Sequence, residues 1–178
     1  MSQSAINSAV GDRQRVLNAS SNPSQFFPNV PRRLQGRAMS WDIIVMDLPP
    51  DLRSVAELPK DFKPRPLGPR SDLIKKISAI FPNIDFSDPS WGILKADGCY
   101  IEFSMGSDDE VRDFGLHVRG GDECPNVVAR LLDGLGMRAI DTSSDSGLFV
   151  QDPDHRSDSF NRWRGFRAHI DELLNPKQ

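Results

Sequence analysis

The sequence predicts an α+β fold, with a mainly antiparallel sheet and its helices on one face. Three observations carry this expectation. Two adjacent segments, 99–105 and 111–119, alternate apolar and polar residues with period two. Asp97-Gly98 ahead of the first is a strong hairpin signal, because both positions tolerate positive φ. Three other segments carry apolar residues at helical spacing.

In order, Asp42–Met46 reads as a buried strand through Ile43, Ile44 and Val45, ended by Pro49-Pro50. Residues 49–70 hold six prolines and read as a stiff surface connection. Ser71-Asp72 is expected to cap a helix reaching Phe81, with Leu73, Ile74, Ile77 and Ile80 on one face and Pro82 as its stop. Trp91–Lys95 and Cys99–Met105 form the hairpin, and Val111–Arg119 returns beside it. A helix opens at Pro125 or Asn126 and ends at Gly136, where a left-handed residue is wanted. Met137–Asp141 and Gly147–Val150 read as short strands. A last helix from Ser157 to Leu174 carries Phe160, Trp163, Phe166, Ile170, Leu173 and Leu174. The resulting order, β-α-β-β-β-α-β-β-α, suggests a ferredoxin-like split βαβ variant.

Residues 1–38 are rich in Ser, Asn, Arg and Pro and show no periodicity. They read as a disordered leader, since so little apolar surface cannot offset the entropy of ordering. The body, 39–178, is expected to be a single domain. Two origins for the leader are open: a start codon assigned upstream of the true one at Met39, or an Arg-rich transit peptide. The leader lacks the amphipathic pattern that a transit peptide needs, which favours the first.

Net charge is −3 overall, but five arginines against Asp12 alone make the leader basic and leave the body at −7. An acidic body argues against nucleic acid, whose binding rests on neutralising phosphates. It suits a basic protein partner instead. No apolar run is long enough to cross a bilayer, so no membrane role is expected. Cys99 and Cys124 are too few for a disulfide framework, and both are expected as reduced thiols in the cytoplasm, with a Cys99–Cys124 bridge as the less favoured alternative.

Met39-Ser-Trp-Asp-Ile-Ile-Val-Met-Asp-Leu-Pro49, Asp88-Pro-Ser-Trp-Gly92 and Leu116-His-Val-Arg-Gly-Gly121 resemble a group of small bacterial proteins known to us only as an uncharacterised family. The resemblance spans most of 39–150 and implies a start at Met39. It implies no activity, cofactor or site residue.

The first candidate site is the polar face of the central hairpin. Tyr100, Glu102, Ser104, Asp113, His117 and Arg119 should share it, because side chains alternate across a strand. One register sets Glu102 opposite His117 and Tyr100 opposite Arg119; a shifted one sets Tyr100 opposite His117. A carboxylate beside an imidazole could form an acid–base pair, with His117, Glu102 and Arg119 catalytic and Tyr100, Ser104 and Asp113 binding. The simpler reading is an ordinary solvated sheet face. A second candidate, Arg119-Gly120-Gly121-Asp122-Glu123 before a helix, lacks the spacing of a phosphate loop and sets acids where a phosphate would sit. The acidic turn Asp108-Asp109-Glu110 matches no calcium loop, and no His/Cys spacing suggests zinc. No metal or other cofactor is expected. Trp41, Trp91 and Trp163 read as core or edge anchors. The basic side of the last helix, Arg162, Arg164 and Arg167, is expected to pair within the chain.

Three functions follow. The leading one is a non-enzymatic protein-binding module, in concrete form a toxin-neutralising immunity protein. The others are a small hydrolase or lyase using the His/Glu/Arg cluster, and a structural homodimer burying the same face.

Overall fold

The structure, a computed structural model, describes residues 39–174, without the side chains of 171, 173 and 174. The leader expected over 1–38 lies outside the described residues. Along the chain come β1 (Trp41–Met46), β2 (Gly68–Pro69), α1 (Arg70–Ile80), β3 (Asp85–Asp88), β4 (Trp91–Ala96) and β5 (Cys99–Ser104). They are followed by β6 (Glu110–Val111), β7 (Asp113–Gly120), α2 (Cys124–Leu135), β8 (Arg138–Asp141) and α3 (Asp158–Leu174). Six strands form one sheet in the order β3-β4-β5-β7-β1-β8, antiparallel at every pairing. The α+β class with an antiparallel sheet is therefore observed. β1 and β5 run in the same direction, with β7 between them.

Period two explains the layers. Ile43 and Val45 of β1, Leu94 of β4, Ile101 and Phe103 of β5, and Leu116 and Val118 of β7 are all buried. They form one apolar core with Leu73 and Ile77 of α1 and Val127, Val128, Leu131 and Leu132 of α2. Trp41 joins α3 to this layer: its ring lies 5.0 Å from Phe160 and 5.9 Å from Phe149. Its indole N–H donates to Asp141 at 2.9 Å, and that carboxylate also accepts from the Ser159 hydroxyl and the Ser143 N–H.

Several local expectations are corrected. α1 starts at Arg70 without a side-chain cap, so Ser71 lies inside it. Residues 147–150 form no strand; a single bridge joins Leu148 to Ile140. β3 was missed because only Phe86 in Asp85–Asp88 is apolar. It can form because Gly92 opposite has no side chain: a Cβ there would sit 2.3 Å from the Phe86 ring. The segment read as one strand from Val111 is divided at Arg112, and Glu110–Val111 pairs with Gly68–Pro69 instead. Gly136 does end α2 in the left-handed conformation, at φ 63°. On α3, Phe160 and Trp163 are buried, but Phe166 is 59% exposed and leaves the expected stripe.

The thiol expectation is also overturned. Cys99 and Cys124 form a disulfide, with their Cα atoms 5.2 Å apart. Cys99 opens β5 directly opposite Gly120 of β7, and Cys124 opens α2 just after that strand. Gly120, at φ 144°, is what lets the helix close in: a Cβ there would lie 2.8 Å from the Cys124 sulfur. The compartment rule knew nothing of this geometry. Disulfides persist in oxidising compartments, so the bridge weighs against the cytoplasmic expectation. No helix among the described residues is long and apolar enough to cross a membrane.

Candidate functional site

The second face of the sheet carries the other half of each alternation. Among the described residues α1 and α2 pack on the opposite face, and only the β1–β8 end of this second face is covered, where Leu48, Leu52 and Leu148 pack with Met46 and Ile140. Antiparallel pairing sets its side chains in rows across the strands. One row runs Ile93, Glu102, His117, Asp42. Beside it lies Lys95, Tyr100, Arg119, and on the other side Trp91, Ser104, Gly115, Ile44. Of the two registers open from sequence, the one setting Glu102 opposite His117 forms.

Adjacency does not make Glu102 the partner of the histidine. The His117 Nδ1 lies 2.8 Å from Asp42 Oδ1, on the opposite flank. Ser40 Oγ donates to that same oxygen at 2.7 Å, so Asp42 is held from both sides. Glu102 instead accepts from Arg119 at 2.8 Å and from the Tyr100 hydroxyl at 3.4 Å. Its side chain is only 1% exposed, against 18% for Arg119, so the pair is largely withdrawn from water. A buried carboxylate needs such partners to remain charged. The expected His117–Glu102 acid–base pair is therefore replaced by Asp42–His117 and Arg119–Glu102 side by side.

The imidazole is also stacked. Its ring centroid lies 5.8 Å from that of Trp91, with planes 23° apart. The two residues are two strands apart, roughly 9–10 Å in backbone separation. The indole must lean across β5 to reach the histidine, and small Ser104 and Gly115 leave room for it. A Cβ on Gly115 would lie 4.0 Å from His117 Nε2 and 3.7 Å from the Ser104 Cβ. The nitrogen turned away from Asp42 thus looks over bare backbone.

Asp113 does not join this group. It stands at the start of β7, opposite Met46, and is exposed. Four residues of strand separate it from His117, about 13 Å. Ser104 sits beside the group, with Gly115 as its cross-strand neighbour. Two participants escaped the sequence reading. Asp42 was absorbed into a strand read as buried throughout, although Trp41, Ile43, Val45 against Asp42, Ile44, Met46 is itself a period-two pattern. Trp91 was read as a core or edge anchor. It occupies the first position of β4, on the same parity as half-buried Ile93 and exposed Lys95.

The other sequence candidates resolve into structural roles. Gly120 admits the disulfide, Asp122 pairs with Arg164, and Glu123 accepts from Asn126 at 3.0 Å. Asp109 and Glu110 pair with Arg70 and Arg112. Arg162 pairs with Asp145, so two of the three α3 arginines bind acids of this same body. No protein-family model, curated protein or solved structure matches the chain.

Proposed function

We propose that the chain is a protein-binding module that docks a basic partner on the polar sheet face around His117. The observation behind this reading is the company on that face: half-buried Trp91, Tyr100 and Arg119 surround His117. Trp, Tyr and Arg are the residue types that dominate interface energetics. The Arg119–Glu102 and His117–Asp42 contacts hold two of these side chains in place before any partner arrives. Preorganised side chains lose less entropy on binding. None of Trp91, Tyr100, His117 and Arg119 lines the cleft beside Met46 and Phe62, which supports a flat recognition surface over a small-substrate site. The net −7 of the body favours a basic partner. A toxin-neutralising immunity protein is the concrete form, by analogy of size and charge alone.

A photo-crosslinking residue at Lys95, beside Tyr100, tests this in cells making the full chain. A discrete adduct with a basic protein is expected from position 95. None is expected from position 76 on exposed α1, and Trp91→Ala or Arg119→Ala should remove the adduct. An adduct of twice the chain's own mass would assign the face to a homodimer instead. Equal labelling at both positions, or no adduct, defeats the reading.

One observation favours a second, enzymatic reading. Asp42 orients the His117 imidazole through Nδ1, which leaves Nε2 as a base over the space at Gly115. A small hydrolase or lyase would use it, with Arg119 holding an anionic group. Hydrolysis of an activated ester such as p-nitrophenyl acetate, lost in both His117→Ala and Asp42→Ala, would support this over docking alone.

A further inference from the structure

A cleft opens at the Met46 end of the same sheet, away from the His117 group. It has a volume of about 740 Å³ and lies between the proline-rich segment and the turn from α2 into β8. That volume is in the range of small-molecule sites. Its walls are held before any ligand arrives. Arg65 donates twice to Asp47, at 2.7 and 3.2 Å. Arg138 donates to the Leu52 carbonyl at 2.7 Å and also to that of Pro49. These contacts tie the segments 49–52 and 62–67 of the wall to β8 and to the end of β1.

The lining combines two chemistries. Met46, Phe62, Leu135 and Met137 are half-buried and apolar. Three cations, Lys63, Arg65 and Arg138, stand against one carboxylate, Asp47, and that one is engaged by Arg65. Arg138 is half-buried, and its hydrogen bonds among the described residues go to neutral carbonyls, not to a carboxylate. Lys63 has no carboxylate partner among the described residues. A local excess of positive charge in a body of net −7 runs against the average of the surface, and it attracts an anion. The apolar walls select against a small hydrated ion such as phosphate and favour an anion with a hydrocarbon body.

We propose that this cleft binds a small apolar carboxylate, its hydrocarbon body against Met46, Phe62 and Met137 and its carboxylate between Lys63 and Arg138. The site is independent of partner docking on the sheet face and stands or falls separately. Methionine methyl resonances give a direct readout: Met46 and Met137 line the cleft, while Met105 is buried in the core and serves as an internal control. Octanoate titrated into the full-length protein, labelled at the methionine methyls, should shift Met46 and Met137 saturably and leave Met105 in place. Octylammonium, of equal apolar length and opposite charge, should not saturate. Lys63→Glu reverses a charge on an exposed side chain and is expected to weaken octanoate about tenfold without altering the denaturation midpoint. No saturable shift with octanoate at millimolar concentration overturns the proposal. So does an equal response to octylammonium, or octanoate affinity unchanged in Lys63→Glu.

Discussion

Asp141 shows how much one polar atom group can hold in this molecule. It is fully buried, and it accepts from Trp41 of β1, the Ser143 backbone and Ser159 of α3. Burial pushes its carboxyl above the usual range, and the hydrogen bonds from Ser159, Ser143 and Trp41 offset this only in part. The folded protein therefore keeps this proton to a higher pH than the unfolded chain does. The group's contribution to stability is fullest below about pH 4, the ordinary aspartate value, and falls as pH rises through the folded pKa. Asp141→Asn keeps an acceptor for Trp41 and Ser143, offers N–H to the Ser159 oxygen and cannot ionise. The stability of Asp141→Asn relative to wild type should rise from pH 4 to pH 7 in denaturant unfolding; a constant or falling difference would show that the carboxylate is not penalised. Asp141→Ala orphans three donors and should cost about 2–5 kcal/mol at pH 4, and less at pH 7.

At the scale of the strand, β7 divides its residues sharply between two roles. Leu116, fully buried, faces Ile43 on one side and Phe103 on the other. Leu116→Ala should cost about 2–5 kcal/mol, from lost burial and the cavity left behind. His117, one residue on, loses one hydrogen bond and one ring contact when changed to Ala, about 1 kcal/mol. If unfolding midpoints ranked these two in reverse, the assignment of faces would be wrong. Alternation made this much legible from the sequence, including which residues share the polar face. It could not say which carboxylate pairs with His117, because that depends on β1 lying beside β7, a neighbour 75 residues away in the chain. The edge strand β3 was illegible for a related reason: its existence depends on Phe86 packing over Gly92 and edge-on to Phe103, at 5.9 Å and 67°. Gly92→Ala should therefore cost about 1–3 kcal/mol by overpacking. In a Phe86→Ala background the same change should cost nearly nothing, since the obstructing ring is gone. Additive costs in that double-mutant cycle would separate Gly92 from the edge strand.

For the molecule as a whole, the disulfide ties the sheet to a helix across 25 residues of sequence. Everything between its ends, the rest of β5, β6 and all of β7, lies inside the closed loop. In the chain-entropy account, a bridge of that span restricts the unfolded state by an amount worth about 3–4 kcal/mol. Composition could not reveal it, since two cysteines at this spacing are equally at home as separate buried thiols. The bridge depends on the β5–β7 register that seats Cys99 opposite Gly120. Denaturant unfolding with and without a strong reductant measures its worth. Wild type should lose about 3–4 kcal/mol on reduction. A Cys99→Ala/Cys124→Ala variant should start near that lower value and show no response to reductant. Both small side chains replace buried sulfurs, so the variant also carries a modest packing loss, and only the difference between its two conditions is diagnostic. A wild type equally stable in both conditions would mean that the two sulfurs lie close in the fold without closing the loop. The bridge would then lend no weight to an oxidising compartment.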